Sequence, residues 1–411
     1  MHSSTHKKMK ILQVTPEYPP YNLGGGGVLV QNLSKALSKK GYDLAVAAGY
    51  YPVKGLIDKP FQSRADNFVV EWLPLWPTIN LGFQLKTILP PNIPAFIKML
   101  KIFLEHDFDV VHIHGFGHGI CDLASILCKI THKPYLVTSH GLPKEPERAG
   151  GMLRILYQAY FTTLGTKLIE RAEQVVAVSK SGEKEIKQWF PQKKTAIIKN
   201  AVELKGYFPI SKTKIQKILA KYNLVGKKII LCVGRLSIAK GFDYAINALP
   251  NVINKIPNAH LLIIGKDDGY GYFNKLKEAV KKNEMEGHVT FLGEVTDAEK
   301  KIFFGAASVV LIPSIVEVFG LVALEAIAAR KPIVASKLGG LFEILSATHS
   351  STLVEPRNSP QLSNALIAAL SKKEIYYDAD TNELVNLGQF DPKIMVNSYV
   401  NLYKEIIRTH P

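Results

Sequence analysis

A chain of 411 residues is too long for one ordinary hydrophobic core, so two domains of roughly 200 residues each are the natural division. Hydrophobic residues make up 47% and charged residues 21%, which excludes a disordered chain, and no apolar run approaches the ~20 residues of a membrane span. The net charge of +16 is spread over both halves, and it suits an anionic substrate, an anionic membrane surface or a solvated lysine-rich exterior. No zinc-ligand spacing, RNP-like stretch or aromatic-interleaved basic helix supports nucleic acid as a partner.

The opening "MHSSTHKKMK" is polar and lacks the apolar core of a signal peptide, so a cytoplasmic location is expected. The three cysteines, Cys121, Cys128 and Cys232, form no CxxC pair and read as reduced packing residues.

In chain order, strands are expected at "KILQVT" (10–15), "YDLAVAA" (42–48), "NFVVEWL" (67–73), "DVVHIHG" (109–115), "PYLVTSH" (134–140), "QVVAVS" (174–179) and "TAIIKNAV" (195–202). Helical patterns fall between several of them, such as "VLVQNLSKALSKKG" (28–41), which ends on a glycine stop. Four glycines, Gly24 to Gly27, follow the first strand and open into that helix. Glycine lets backbone approach a ligand, and a helix N-terminus favours anions. His112 and His114 form an HxH pair that points both rings to one face of a strand. Without a signposted third ligand they read as core or cleft-lining residues rather than zinc ligands. His140, just past a strand and before a glycine, is the better cleft candidate.

Residues 72–106 are apolar, aromatic and broken by prolines. Their end, "AFIKMLKIFLEH", is a basic amphipathic helix. It suits either packing on the sheet or docking of a lipid-linked acceptor at a membrane surface. "GLPKEPERAGGMLR", after His140, is a candidate acceptor rim.

The lysine-rich stretch 203–226 reads as a joint. The strand–helix grammar then restarts with strands "KKIILCVGRL" (227–236), "AHLLIIG" (259–265), "HVTFLG" (288–293), "SVVLIPS" (308–314), "KPIVAS" (331–336) and "STLVEP" (351–356). Two consecutive doubly wound, Rossmann-like α/β domains follow, with ligands expected beyond the carboxyl ends of the strands, facing across a cleft. In "CVGRLSIAKGFD", Arg235 and Lys240 are two cations on one strand-to-helix loop, which suits a pyrophosphate. Asp267–Asp268 in "GKDDGYG" reads as a solvated turn rather than a metal site. In "VASKLGGLFEIL", Gly339 and Gly340 start a helix whose N–H groups suit phosphate or form a plain turn.

"PSIVEVFGLVALEA" places Glu317 before a helix start and Glu325 inside an apolar helix. A buried carboxylate there needs a partner, either a cation from elsewhere in the fold or a ligand's hydroxyls. Helical rise separates the two by ~12 Å, which suits the two ends of one elongated ligand.

Together these stretches resemble the retaining, sugar-nucleotide-dependent glycosyltransferases of the GT-B fold, called glycosyltransferase family 4 or group 1. "PSIVEVFGLVALEA" is similar to the family's E-x7-E signature and "VGRLSIAKG" to its arginine–lysine pair. "IIKNAVELKGYFP", with Asn200, is similar to its interdomain stretch. Departures are "KNAV", Phe342 where proline is usual, and the lengthened turn "IIGKDDGYG".

The resemblance implies an acceptor-side domain at 1–203, a sugar-nucleotide domain at 204–391, and a C-terminal helix, about 392–411, packing back on the first. It implies catalytic roles for Arg235, Lys240, Glu317 and His140. The donor site would comprise Gly25, Gly26, Arg235, Lys240, Glu317, Phe319, Gly320, Leu321, Glu325, Gly339 and Gly340. Glu325 would hold the donor ribose, Glu317 the transferred sugar's hydroxyls, and the two cations the diphosphate. No metal or cofactor is implied. The expected reaction moves a hexose from a nucleoside-diphosphate sugar to a saccharide or lipid-linked acceptor, with peripheral contact at the inner membrane face as an option. A sugar-nucleotide epimerase or a non-catalytic nucleotide-sugar binder are the rival readings.

Overall fold

The computed structural model describes residues 8–21, 25–50, 62–65, 67–75, 93–141, 155, 159–267, 269, 271–346, 348–372 and 387–410. The chain divides into two compact units, Met1–Asn200 with Pro392–Pro411, and Ala201–Asp391.

The first unit runs β1 (Lys10–Thr15), α1 (Gly25–Lys39), β2 (Asp43–Tyr50), β3 (Gln62–Ala65), β4 (Phe68–Pro74), α2 (Ile93–Glu105), β5 (Val110–His114), α3 (Gly119–Ile130), β6 (Tyr135–Ser139), α4 (Thr166–Arg171), β7 (Gln174–Ala177), α5 (Lys180–Trp189) and β8 (Thr195–Ile197). Its strands form one sheet in the order β3-β4-β2-β1-β5-β6-β7-β8. Every pairing is parallel except β3 with β4. Strands β5, β6 and β7 are buried at every residue, as parallel strands covered on both faces require.

The second unit runs α6 (Lys212–Lys221), β9 (Lys228–Val233), α7 (Phe242–Lys255), β10 (Ala259–Ile264), α8 (Tyr272–Lys282), β11 (Val289–Gly293), α9 (Asp297–Ala306), β12 (Val309–Ile312), α10 (Leu321–Ala328), β13 (Ile333–Ser336), α11 (Gly339–Leu345), β14 (Ser351–Val354) and α12 (Ser359–Ser371). Its sheet is wholly parallel, in the order β11-β10-β9-β12-β13-β14. Side chains alternate across it. On β9, Ile230 and Cys232 enter one core cluster with Phe242 and Leu249 of α7. Ile229 and Leu231 enter the opposite one with Phe303 and Phe304 of α9.

The last helix, α13 (Pro392–Thr409), belongs to the first unit and packs on α1 and β5. It buries Met395, Val396, Tyr399 and Tyr403. The two parallel α/β sheets give the fold class expected from the sequence. All three cysteines are buried and free.

One expectation is corrected, and one strand was not foreseen. Residues 203–226 are not a linker, because they carry α6 and bury Tyr207, Ile218 and Leu224 in the second unit's core. The antiparallel strand β3, "QSRA", had no hydrophobic pattern to announce it. Gly24, Asp268, residues 76–92 of the apolar stretch and the proposed rim after Gly141 lie outside the described residues.

Candidate active site

In the second unit, sheet order reverses direction between β9 and β12. Ligands of open α/β sheets bind at such a point, beyond the strands' carboxyl ends. The loop after β9 carries Arg235 and Lys240, and the loop after β12 carries Glu317.

Backbone contacts fasten these two loops together. Ile315 and Val316 donate their N–H groups to the Ala239 carbonyl at 2.9 and 3.2 Å. Gly241 has φ +61°, and a Cβ there would lie 2.2 Å from the Pro313 carbonyl oxygen, so only glycine permits this approach. Lys240 Nζ then reaches Glu317 Oε2 at 2.7 Å, and Ser314 Oγ donates to the same oxygen at 3.1 Å. Glu317 Oε1 has no partner among the described residues.

Arg235 is half-buried and makes no ion pair or side-chain hydrogen bond among the described residues. A cation in that setting attracts an anionic ligand, and its planar fork matches phosphate oxygens.

Glu325 lies in α10 and is only 5% exposed. Its partner is the cation from elsewhere in the fold. Lys300 Nζ of α9 lies 2.8 Å from Oε1, and Tyr207 Oη donates to the same oxygen at 2.7 Å. Burial opposes the charge on Lys300, but Glu325, with Asp297 behind it, outweighs burial and raises the lysine pKa. Burial and the Glu325 carboxylate both push the Tyr207 hydroxyl up. Glu325 Oε2 has no partner among the described residues.

Gly320, with φ +102°, precedes the first residue of α10, Leu321, which is half-buried. Phe319 is buried edge-on against Phe390, ring centroids 5.8 Å apart. Gly340 is glycine for packing, since a Cβ would meet the Val318 carbonyl oxygen at 2.3 Å. Gly339 is exposed at the start of the seven-residue α11.

In the first unit, Gly25 and Gly26 form the first turn of α1. A Cβ on Gly26 would meet nothing within 4 Å, so packing does not account for this glycine. His112 Nδ1 is 2.6 Å from Tyr403 Oη of α13, and its Nε2 is 2.7 Å from Thr138 Oγ1. His114 Nε2 bonds the Gln13 side-chain carbonyl oxygen. The His114 and His140 rings stack with centroids 5.8 Å apart. Burial lowers all three histidines, His140 to about 4, so the cluster is neutral at pH 7. His114 Nδ1 and His140 Nε2 are buried and have no hydrogen-bond partner among the described residues.

The sequence reading placed Arg235, Lys240, Glu317 and Glu325 in one site, and they all lie on β9–α7, β12–α10 or the helix they lead into. It missed Ser314, Lys300 and Tyr207, because a lone lysine among many carries no sign of its distant partner. Among the described residues, no group of three or more His, Cys, Asp or Glu is placed to hold a metal ion.

Two family models match the chain: "Glycosyltransferase Family 4" over residues 23–205 and "Glycosyl transferases group 1" over residues 214–383. The chain belongs to the family 4, or group 1, glycosyltransferases. An uncharacterized glycosyltransferase of Methanocaldococcus jannaschii is 29% identical over 94% of this chain and 100% of its own length. A glycogen synthase of Mycobacterium tuberculosis is 26% identical over 88% of this chain and 86% of its own. HepE of Anabaena, solved with UDP and glucose, has a TM-score of 0.74 at 20% identity, covering 97% of this chain and 100% of that one. That likeness establishes the GT-B fold for this glycosyltransferase.

Proposed function

We propose that the protein moves a hexose from a nucleoside-diphosphate sugar to a hydroxyl of a saccharide or lipid-linked acceptor, with retention and without a metal. The observation that carries this reading is Arg235, a half-buried cation with no carboxylate partner among the described residues, on the same switch-point loop as Lys240. Breaking a glycosyl–phosphate bond builds negative charge on the diphosphate and positive charge on the sugar. Fixed cations act where the negative charge develops. Arg235 and Lys240 receive the diphosphate. Glu317, held by Lys240 and Ser314, offers Oε1 to hydroxyls of the transferred hexose. Glu325 offers Oε2 to the ribose.

On the family resemblance, Gly25, Gly26 and Gly339 are assigned to the diphosphate and His140 to the hexose. Phe319, Gly320, Leu321 and Gly340 shape the helix start beneath it. Because HepE was solved with UDP, uracil is the first base to try.

The test incubates the protein with UDP-, GDP- and ADP-hexoses and a panel of sugar and lipid-linked acceptors, following nucleotide release and the product's anomeric form. Acceptor-dependent release with a retained anomer supports the reading. Donor turnover without an acceptor product favours the epimerase, and binding without turnover favours the non-catalytic binder.

One observation favours a lipid-bearing acceptor. Helix α2 exposes Ile93, Phe96, Ile97 and Leu104, with Lys101 among them. We propose that this face meets an anionic bilayer. Co-sedimentation with anionic vesicles, lost on changing Phe96 and Ile97 to serine, would support it, and no sedimentation would remove it. No helix among the described residues is long and apolar enough to cross a membrane.

A further inference from the structure

We propose that Lys300 and Tyr207 are positioning residues that aim Glu325 at a ribose diol, by occupying Oε1 and leaving Oε2 to accept the ligand's hydroxyls. This rests on the reading of Glu325 as the nucleotide contact. It assigns the orientation of that carboxylate to two side chains for which that reading gives no role.

The geometry is one-sided. Both protein donors fall on Oε1, at 2.8 and 2.7 Å, and none among the described residues falls on Oε2. A carboxylate oxygen accepts about two hydrogen bonds, so Oε1 is filled and Oε2 keeps room for both hydroxyls of a vicinal diol.

Both donors are rigidly based. Lys300 follows a capping box in which Glu299 N–H donates to Thr296 Oγ1 at 3.2 Å and Thr296 N–H to Glu299 Oε2 at 3.3 Å. Tyr207 is 1% exposed and stands edge-on to Phe304 of the same helix, centroids 5.3 Å apart. Lys301 Nζ also donates to the Lys205 carbonyl at 2.7 Å, tying the Tyr207 segment to that helix. Two donors from one braced body fix both the position and the rotation of the Glu325 carboxylate.

A bridge that only stabilised the fold would not affect how the protein tells ribose from deoxyribose, so that ratio is the readout. Calorimetric titrations would compare UDP, GDP and ADP with their 2′- and 3′-deoxy forms, using the base that binds tightest. The variants are Glu325→Ala, Lys300→Gln, Lys300→Arg and Tyr207→Phe, with circular dichroism to confirm folding. Wild type is expected to prefer the riboside at least tenfold, and Glu325→Ala to erase that preference. Lys300→Gln is expected to cut it to about threefold or less, Tyr207→Phe to reduce it in the same direction, and Lys300→Arg to restore most of it. Should Lys300→Gln fail to fold, Tyr207→Phe carries the test. If Glu325→Ala erases the preference while Lys300→Gln and Tyr207→Phe keep it within twofold of wild type, the positioning role is overturned and the nucleotide reading stands. If wild type shows no preference, or Glu325→Ala retains it, the ribose reading itself fails and this inference with it.

Discussion

Lys240 Nζ lies 2.7 Å from Glu317 Oε2, joining the loop after β9 to the loop after β12 across the point where the second unit's sheet reverses order. The pair neutralises itself only in part. Lys240 keeps further donors for a ligand anion, and Glu317 keeps Oε1 for a ligand hydroxyl. Arg235, on the same loop as Lys240, adds a cation with no carboxylate partner among the described residues. A site with this charge balance favours a ligand that is anionic at one end and hydroxylated at the other.

Replacing Lys240 with alanine removes one stabilising cation from the leaving group. Losing such a donor costs about 3–4 kcal/mol of barrier, so transfer should fall by roughly 10²–10³-fold. Steady-state kinetics with the active donor checks this. The melting temperature should move little, because Lys240 is partly exposed. Near-normal transfer would remove Lys240 from the site.

Gly241→Ala should destabilise the second unit. The added methyl meets the Pro313 carbonyl oxygen at 2.2 Å, and φ +61° is unfavourable for alanine. Strain of about 1–3 kcal/mol or more is expected. For a domain of this size, that lowers the melting temperature by roughly 2–4 °C per kcal/mol. Thermal unfolding checks it, with an unchanged transition as the contrary result.

Much of this was legible beforehand. The runs "IILCV" and "VVLI" are fully apolar, as buried parallel strands must be, and Arg235 and Lys240 fall on the strand-to-helix loop that their spacing indicated. What sequence concealed was long-range pairing. Lys300 lies among lysines that look alike on paper, and only its contact with Glu325 in the folded unit singles it out. The stretch 203–226 misled because its lysines are exposed, while Tyr207, Ile218 and Leu224 are too widely spaced to look like a core. Edge strand β3 is polar on both faces, so no alternation marks it.

Removing residues 392–411 should cost the first unit its fold. Tyr403 and Tyr399 of α13 bond His112 and Thr138 at 2.6 and 3.0 Å, and Met395, Val396 and Ile406 are buried with them. The truncated chain is expected to aggregate or to show exposed apolar surface by dye binding. A soluble protein with an unchanged melting profile would contradict this.

Stability should fall as pH drops from about 6.5 to 4. Burial holds His118 and His140 at about 4, and His112 and His114 also lie well below their ordinary 6.5. Between those limits the unfolded chain binds more protons than the folded one, so protonation favours unfolding. Asp122, raised to about 7 by burial, works the other way, because its stabilising effect is present at low pH and is lost as pH rises through 7. Four histidines outweigh that one carboxyl. Melting temperatures across this range should decline on acidification, and less steeply in His114→Gln. A flat or opposite profile would contradict the buried neutral cluster.

The most direct test of the donor site is calorimetric titration of UDP, GDP and ADP into the wild-type protein and Glu325→Ala. The account predicts that at least one diphosphate binds the wild type, and that Glu325→Ala binds it at least tenfold more weakly while remaining folded. Equal affinity in the two proteins, or no binding of any of the three to the wild type, would contradict it.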